Sequence, residues 1–353
     1  MEFRTIDGSG NNLAETEMNT PGTAFARIGP ARFADGISAS ADGPNPRAVS
    51  NLVVGEGDAA TPNAQGLAGM MYAWGQFVDH DLTLGADDQR VDRLPVRIDI
   101  EVPPGDPVFP PGSVIPLTRV GIAADSGTDA EHPAIAANIV TGWHDASMVY
   151  GSNAEVAAAL RSPDGRLETS ENGNLPVVDG RFVAGDVRAG ENPSLTALQT
   201  LFVREHNLQV DRLRAAHPEL SGDQLYETAR AIVGAEIAHI TYSEFLPHLL
   251  GPDALAPYGG YDPTVDSRLS VEFSGAAYRW GHSTVSAETE RKDEAGEVTG
   301  PELELRDAFF LPPAEFAEAG GAGGFLRHLA TDLSQAMDAR IVEDLRNFLF
   351  DPP

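Results

Sequence analysis

Apolar residues recur at helical spacing in several stretches of the chain and predict a mainly α-helical protein. In residues 194–216 leucine and other apolar residues return every three or four positions, and residues 221–245 carry an apolar stripe with the same period. A third helix is predicted over 61–82, with the Thr-Pro pair at its start as N-cap and first helical residue. Further helices are expected near 325–350.

The rest of the chain is rich in turn-forming residues and has little periodicity. Residues 1–65 contain many Gly, Pro, Asn and Asp residues, and the first 60 are expected to form an arm or loop region packed on a larger body. Residues 85–130 hold many prolines and short β-like pieces such as 96–100, which predict an irregular loop with at most a hairpin. With no internal repeat and no long linker, we expect a single domain over 1–353.

The charge balance narrows the classes of partner. Acidic residues number 53 against 24 basic residues, for a formal net charge of −29. This charge argues against nucleic acid or an anionic membrane as partner. It suits a soluble, secreted or salt-adapted protein, or one that binds a hard cation such as calcium. The hydrophobic fraction of 42% is that of an ordinary globular protein, which argues against wholesale disorder.

The chain contains no cysteine. Disulfides, thiolate catalysis, iron–sulfur clusters and cysteine zinc sites are therefore excluded. No apolar run approaches the length of a transmembrane helix. The first residues, MEFR, lack the apolar region of a signal peptide.

Polar residues are concentrated among bulky apolar ones in the segment 73–82, AWGQFVDHDL. On a helix Gln76, Asp79 and His80 share one face, at spacings i, i+3 and i+4. Asp81 points about 100° away from His80. Buried polar groups are costly unless they have partners, so we expect the first three to face a common cavity and Asp81 to face a neighbouring site. A buried hydrogen-bond network is the alternative.

A second cluster, TGWHDAS, occupies residues 141–147. Thr141, Asp145 and Ser147 occupy odd positions of a potentially extended segment, so their oxygens can face one side. Oxygen ligands that include a carboxylate suit calcium, and Asp81 is a candidate for a second carboxylate. The alternative is a loop whose side chains bond to their own backbone.

Two further clusters are less specific on their own. Arg188 and Glu191 stand three residues apart just before a predicted helix, which is also typical of a surface salt bridge of little energetic value. His282 lies in the run YRWGHS, and by itself it is more typical of a core histidine than of a metal ligand.

Taken together, the four clusters resemble the animal haem peroxidase family of the peroxidase–cyclooxygenase superfamily. The resemblance runs from FRTIDG at 3–8 to LRNFLF at 345–350 and includes AVSN at 48–51, DASMVYG at 145–151 and LFVREHN at 201–207. It implies a mainly α, multi-helix haem peroxidase fold with long irregular loops and little β structure. A bacterial member is expected, and one that lacks the C-terminal part of the family's catalytic domain.

The resemblance implies roles for the residues of the first and third clusters. His80 is similar to the distal histidine, which takes a proton from hydrogen peroxide and returns it to the departing oxygen. Gln76 is its neighbour near the peroxide and halide site, and Arg188 resembles the distal arginine that stabilises charge during O–O cleavage. Asp79 and Glu191 are similar to the carboxylates that form ester bonds to haem b.

The resemblance also implies the ligands of two metals. His282 resembles the proximal ligand of the haem iron, and Arg279 in the same run is expected to contact the cofactor. A calcium ion is expected at five residues that match the family's site, namely Asp81, Thr141, Trp143 (through its carbonyl), Asp145 and Ser147.

The implied function is a haem-dependent peroxidase that reduces hydrogen peroxide and oxidises halides, thiocyanate or phenolic donors. A secreted or cell-surface location and a part in the response to oxidative stress are expected with it, while the oligomeric state is left open. Asn192 stands where the human leukocyte member of the family carries a methionine bonded to haem. That third link cannot form, which favours bromide, iodide, thiocyanate or an aromatic donor over chloride.

Two other functions compete with the peroxidase. The run YRWGH resembles the Tyr-Arg-Trp-His run of haem fatty-acid dioxygenases, with Tyr278 as the radical tyrosine, but Gly281 shifts the tyrosine by one position. A calcium-stabilised, non-catalytic scaffold with the same fold is the other. A metal-dependent hydrolase is disfavoured because His80 has no second histidine at a ligand spacing on its helix.

Overall fold

The computed structural model describes residues 3–55, 61–85, 97–318 and 320–347, and it is mainly helical, as the apolar periodicity predicts. The α-helices within these ranges are α1 (Pro46–Val53), α2 (Met70–Leu82), α3 (Ser147–Tyr150), α4 (Ala154–Leu160), α5 (Pro193–Ala216), α6 (Gly222–Ile240), α7 (Leu246–Leu250), α8 (Val271–Gly275), α9 (Leu305–Ala308), α10 (Pro313–Glu318), α11 (Ala322–Thr331) and α12 (Glu343–Asn347). None of these helices is long and apolar enough to cross a bilayer.

Shorter elements connect the helices. A π-helical turn, Thr241–Phe245, joins α6 to α7, and 3-10 helices span Glu171–Gly173 and Ala277–Thr284. Each of the three sheets in the described chain is an antiparallel pair of two-residue strands: β1 (Ile100–Glu101) with β2 (Val114–Ile115), β3 (Val177–Val178) with β4 (Arg181–Phe182), and β5 (Glu288–Thr289) with β6 (Leu303–Glu304). The expectation of little β structure is confirmed.

Helix α5 is the centre of the core and packs against α2, α3, α6 and α11. Its start is well specified, because Asn192 accepts a hydrogen bond from the Leu195 amide and proline occupies the first position. Between α2 and α5, the rings of Phe77 and Phe202 stack with centroids 5.2 Å apart. Trp74 tilts against both rings, so aromatic packing holds α2 rigidly on the central helix.

The predicted helix over 61–82 is wrong in its first part, because α2 begins only at Met70. Gly66 has a φ of +70°, a left-handed conformation that interrupts a helix. The segment before α2 instead forms isolated bridges, Pro62 with Gln335 and Ala68 with Leu333. These partners are about 270 residues distant in sequence, so local patterning could not indicate them.

Other boundaries follow the periodic pattern more closely. Helix α5 starts one residue before the predicted 194–216, and α6 with its π-helical turn covers almost all of 221–245. The helices expected near 325–350 are α11 and α12, with an irregular stretch between them.

The N-terminal region contains a helix that its turn-rich composition did not indicate, α1, which Asn45 caps. Residues 348–350 of the LRNFLF motif and residue 96 of the β-like piece 96–100 lie outside the described residues.

The motif LFVREHN on α5 fastens a neighbouring loop. Arg204 donates to the Gly173 carbonyl at 2.8 Å. The side-chain amide of Asn207 pairs with both backbone groups of Leu167, at 2.7 and 3.0 Å. These bonds fix the chain between α4 and β3 against the central helix.

His206 of the same motif is fully buried and joins two other segments. Its Nε2 lies 2.9 Å from the Gly165 carbonyl, so Nε2 carries the proton and Nδ1 accepts from the Tyr150 hydroxyl at 2.9 Å. Burial lowers the pKa of His206 to about 4, and the ring is neutral at neutral pH. Gly165 has a φ of +91°, and a side chain there would collide with the Gly222 carbonyl 2.5 Å away.

A buried ion pair fastens the N-terminal region to the rest of the protein. Arg47 on α1 bonds the Asp106 carboxylate at 2.6 and 3.0 Å and lies over the Phe109 ring. Asn51 donates to the same carboxylate at 2.8 Å and accepts from Arg346 on α12 at 2.9 Å. The motif AVSN thus connects the 97–115 hairpin region to α12.

Asp106→Ala is expected to lower the free energy of unfolding by about 3 kcal/mol, because it leaves the buried Arg47 charge without its partner. The bonds to Arg47 hold the pKa of Asp106 well below its ordinary value. The ion pair therefore stabilises the fold above the usual carboxyl range near pH ~4 and loses this effect as the pH falls below that range. Urea unfolding at pH 7 and at pH 3 measures both effects.

Asp99→Ala provides the matched control, because Asp99 pairs with Arg97 at the surface. It is expected to change the free energy of unfolding by about 0.5 kcal/mol or less. If the two variants were equally stable at pH 7, the anchoring role of the Arg47–Asp106 pair would be wrong.

Candidate active site

A cleft between α2 and the 3-10 helix Ala277–Thr284 brings together most of the predicted site residues. Its empty volume, counted up to the mouth, is about 1070 Å³. Polar side chains among those that line it include Gln76, Asp79, His80, Arg188, Glu191, Asn192, Tyr278, Arg279 and His282.

His80 is the most deeply buried of these groups, with 4% of its side chain exposed. Burial, together with the positive charge of Arg188, lowers its pKa to about 3, so the imidazole is neutral at neutral pH. Its Nε2 lies 3.8 Å from Oε2 of Glu191. Its Nδ1 is buried and has no hydrogen-bond partner among the residues that the structure describes.

Arg188 is held by a carboxylate that sequence reasoning did not single out. Its Nε and Nη2 atoms bond the two oxygens of Asp186 at 2.8 and 2.7 Å, and Nη2 also donates to the Thr83 carbonyl at 2.9 Å. The alternative of a surface salt bridge between Arg188 and Glu191 is wrong, because Asp186 is the partner of Arg188. The only sequence signal was an acidic residue two positions before the arginine.

Glu191 is connected to α2 by a short chain of amides. Gln76 donates through Nε2 to Oε2 of Glu191 at 3.3 Å. Asn192 donates to Oε1 of Gln76 at 2.9 Å while its own oxygen caps α5. Burial raises the pKa of Glu191. The start of α5 therefore fixes which way the Gln76 amide faces the cleft.

Asp79 is surrounded by donors at the other end of this face of α2. Arg279 donates to Oδ2 at 3.2 Å, and the Thr83 hydroxyl donates to Oδ1 at 2.8 Å. Arg188 approaches the same carboxylate to 3.9 Å. Tyr278, next to Arg279, donates its hydroxyl to the Gly75 carbonyl at 3.1 Å. Helix α2 and the 3-10 helix Ala277–Thr284, which are distant in sequence, are thus hydrogen-bonded to each other across the cleft.

His282 is exposed to this cleft rather than packed in the core, so the interpretation as a core histidine is wrong. Surrounding protein and the charge of Arg279 lower its pKa. Its ring makes no hydrogen bond with any residue in the described ranges, which leaves its nitrogens free to bind a metal.

The second cluster forms a separate site at the back of α2. The segment 141–147 is not extended as predicted: Ala146 is left-handed with a φ of +67°, and Ser147 begins α3. The Asp81 carboxylate accepts from the Ser147 amide at 2.6 Å and from its hydroxyl at 3.0 Å. Asp145 accepts from Thr141 at 2.9 Å. The helical period directs Asp81 here while His80 faces the cleft.

Two carboxylates come close together at this back site, because both accept from the Ser147 amide. The Asp81 carboxylate is buried and that of Asp145 is half-buried, and the surrounding protein followed by the charge of Asp81 raises the pKa of Asp145 to about 8. His144 lies 2.8 Å from Oδ2 of Asp81. Within the described ranges, no group of three or more His, Cys, Asp or Glu side chains is placed to hold a metal. The hydroxyl and carbonyl oxygens around the two carboxylates would have to supply the remaining ligands.

Comparisons with known proteins identify the family and the fold. The sequence profile of the animal haem peroxidase family matches residues 3–353. Lactoperoxidase of Mesocricetus auratus is 34% identical, over 99% of this chain and 57% of its own length. The chain thus spans little more than half the length of such curated relatives.

Two solved structures share the fold. Peroxidase A from Dictyostelium discoideum superposes with a TM-score of 0.86 at 26% identity, over 100% of this chain and 73% of its own. The fatty acid alpha-dioxygenase of Arabidopsis thaliana gives a TM-score of 0.77 at 21% identity, over 94% of this chain and 56% of its own. The second likeness shows a common architecture only.

Proposed function

Because the chain belongs to the animal haem peroxidase family, we propose that it is a haem-dependent peroxidase domain that reduces hydrogen peroxide. The observation that carries the proposal is the cleft in which a buried neutral histidine, His80, an arginine, Arg188, and a second neutral histidine, His282, line the same space. A histidine and an arginine are the acid–base group and the cationic group that peroxide cleavage needs.

The donor set of the cleft fits haem. His282 offers an imidazole with no competing hydrogen bond to the described residues, and a neutral imidazole is a usual axial ligand. The carboxylates of Asp79 and Glu191 reach the same space. We propose that His282 ligates the iron and that Arg279 contacts the cofactor. We also propose that the two carboxylates would form ester bonds to haem methyl carbons, each replacing a C–H bond, with hydrogen peroxide as the two-electron oxidant. When bound, haem supplies the iron at which the O–O bond of peroxide is cleaved.

The protein's own contribution is to hold charges and to move a proton. Nε2 of neutral His80 can accept a proton from hydrogen peroxide and return it to the departing oxygen. The guanidinium of Arg188, fixed by Asp186 and the Thr83 carbonyl, stabilises the negative charge that develops. Because Asp186 already orients this charge, little reorganisation is needed when the reaction occurs.

Gln76 and Asn192 bear on the choice of the electron donor, which we propose is a small anion or a phenol. The Nε2 group of Gln76 faces Glu191, and its Oε1 is held by Asn192, so the amide keeps one orientation beside His80. An asparagine at 192 cannot form a thioether-derived link to haem. We propose bromide, iodide, thiocyanate or a phenol as donor, rather than chloride.

We further propose that calcium binds behind α2. Asp81 is buried, and both its carboxylate and that of Asp145 accept from the Ser147 amide, while Thr141 donates to Asp145. With Thr141, Ser147 and the carbonyl of Trp143 as neutral ligands, this would be the kind of oxygen set that calcium prefers. The ion would connect α2 to the loop before α3. A single domain over 1–353, a secreted or cell-surface location and a part in the response to oxidative stress complete the proposal.

A fatty-acid dioxygenase is the second candidate, since Tyr278 lines the cleft. Its hydroxyl, however, is bonded to the Gly75 carbonyl. Oxygen uptake with linoleate that is present in the wild type and lost in Tyr278→Phe would support this candidate over the peroxidase.

His80→Ala is expected to lower the kcat for peroxide-dependent oxidation of iodide by about 10²–10⁴-fold, the typical contribution of a general acid–base group. The Soret band of the haem-loaded protein should remain, because His282 rather than His80 is the proposed ligand. His132→Ala, at the exposed His132, is the control and should be fully active. Full activity of His80→Ala would contradict the acid–base role of His80, and a haem-loaded wild type without peroxide turnover would favour a non-catalytic scaffold.

Calcium is expected to raise the free energy of unfolding by about 3 kcal/mol at a hundredfold excess over its Kd, since it binds only the folded state. Differential scanning calorimetry with calcium and with a chelator measures this difference. Asp145→Asn should abolish most of it. Asp129→Asn, at an exposed loop carboxylate, should not. Equal melting temperatures of the wild type with calcium and with chelator would exclude the site.

A further inference from the structure

We propose that Asp186 is a positioning residue that fixes the proton of His80 on Nδ1 and leaves the Nε2 lone pair free to act as the base. The same carboxylate holds Arg188, so one buried side chain would orient both distal groups. The inference deepens the proposed peroxidase function and rests on it for its catalytic meaning.

The position of Asp186 is defined by three hydrogen bonds from one residue. Its Oδ1 accepts from the backbone amide and from Nε of Arg188, both at 2.8 Å, and its Oδ2 accepts from Nη2 at 2.7 Å. Only 1% of the side chain is exposed. Such a bidentate pair is planar and directional, so neither group can turn without breaking the other's bonds.

The backbone around Asp186 leaves it no freedom to move. A side chain at the preceding Gly185 would lie 2.3 Å from both the Ser147 carbonyl and the Gly151 amide, so only glycine fits there. The Asp186 amide donates to the Met148 carbonyl at 3.0 Å. The carboxylate is therefore carried by chain that is packed tightly on α3.

The imidazole of His80 faces this fixed charge. Oδ1 of Asp186 lies 3.7 Å from Nδ1 of His80, the nitrogen that is buried without a hydrogen-bond partner in the described structure. A lone pair on Nδ1 would point toward negative charge, whereas an N–H would be attracted to it. The geometry thus favours the tautomer with the proton on Nδ1.

A carboxylate also lies near the other nitrogen, because Oε2 of Glu191 is 3.8 Å from Nε2. The two acids are not equivalent. Burial raises the pKa of Glu191, and its Oε2 already accepts from Gln76. Burial would also raise the pKa of Asp186, but the bonds and charge of Arg188 outweigh this effect and lower it. The carboxylate whose pKa is lowered therefore lies on the Nδ1 side, and the one whose pKa is raised lies on the Nε2 side.

Replacing the Asp186 carboxylate by an amide of the same shape should reverse the tautomer preference of His80. In Asp186→Asn the amide can turn an N–H toward Nδ1 of His80, which then becomes the acceptor and moves the proton to Nε2. An orienting carboxylate replaced by its amide lowers kcat by about 10⁴-fold in the Ser-His-Asp site, where the histidine is left in the wrong tautomer. We expect the wrong tautomer of His80 to lower kcat in this protein for the same reason.

The direct test is nitrogen NMR of the haem-free protein labelled with ¹⁵N-histidine, at a pH above 7. The chain has nine histidines, and His80→Gln identifies the resonances of His80 by difference. In the wild type, His80 should show a protonated Nδ1 and an unprotonated Nε2. Asp186→Asn should shift the population toward the opposite tautomer. A protonated Nε2 in the wild type would overturn the proposal, even if the variant failed to fold.

Asp332→Asn is the matched control, because Oδ2 of Asp332 lies 3.8 Å from Nε2 of another buried histidine, His328. It should change the resonances of His328 and leave those of His80 unchanged. Unchanged His80 resonances in a folded Asp186→Asn protein would also overturn the role of Asp186.

Kinetics of the haem-loaded protein separate this inference from the proposed function. Asp186→Asn should lower kcat by at least about 100-fold and leave KM for the donor nearly unchanged. A wild type with no peroxide turnover would contradict the peroxidase, while the tautomer measurement would still test Asp186. An active wild type with an equally active Asp186→Asn would contradict the positioning role alone.

Discussion

The arrangement of the protein depends on two adjacent polar residues in one buried helix. His80 and Asp81 are both nearly inaccessible to solvent, and each must find partners on its own side of α2. Because successive residues on a helix differ by about 100°, one faces the cleft and the other faces the loop before α3. The cleft with its arginines provides the polar surroundings of His80, and the oxygen cluster behind the helix provides those of Asp81. These partners offset the free-energy cost of burying both residues.

The electrostatics of the cleft follow from the same constraint. Burial keeps the imidazole of His80 neutral, which is the state that a proton acceptor needs, while Asp186 keeps the neighbouring Arg188 fixed and charged. The low dielectric strengthens both effects. In a chain with a net charge of −29, Arg188 and Arg279 line this cleft beside the carboxylates of Asp79 and Glu191.

Local patterns predicted what depends on local structure. The apolar period located α5 over 193–216, and α6 with its π-helical turn over 222–245, within one residue at each end, and the polar spacing on α2 predicted which side chains share a face. What depends on distant contacts was missed. The late start of α2 is set by bridges to residues 333–335, and the role of Asp186 depends on a loop that meets α2 only in the folded chain.

Two short structural connections link the site behind α2 to the cleft. One is the peptide bond between His80 and Asp81. The other runs from Asp81 to Ser147 through their hydrogen bonds, and from α3 to Asp186 through the Met148 carbonyl. A cation that draws Asp81 and Asp145 together would therefore fix the helix that carries His80 and the segment that carries Asp186. A bound cation, although distant from the proposed proton transfer, would thereby set the distance between the His80 imidazole and the Asp186 carboxylate.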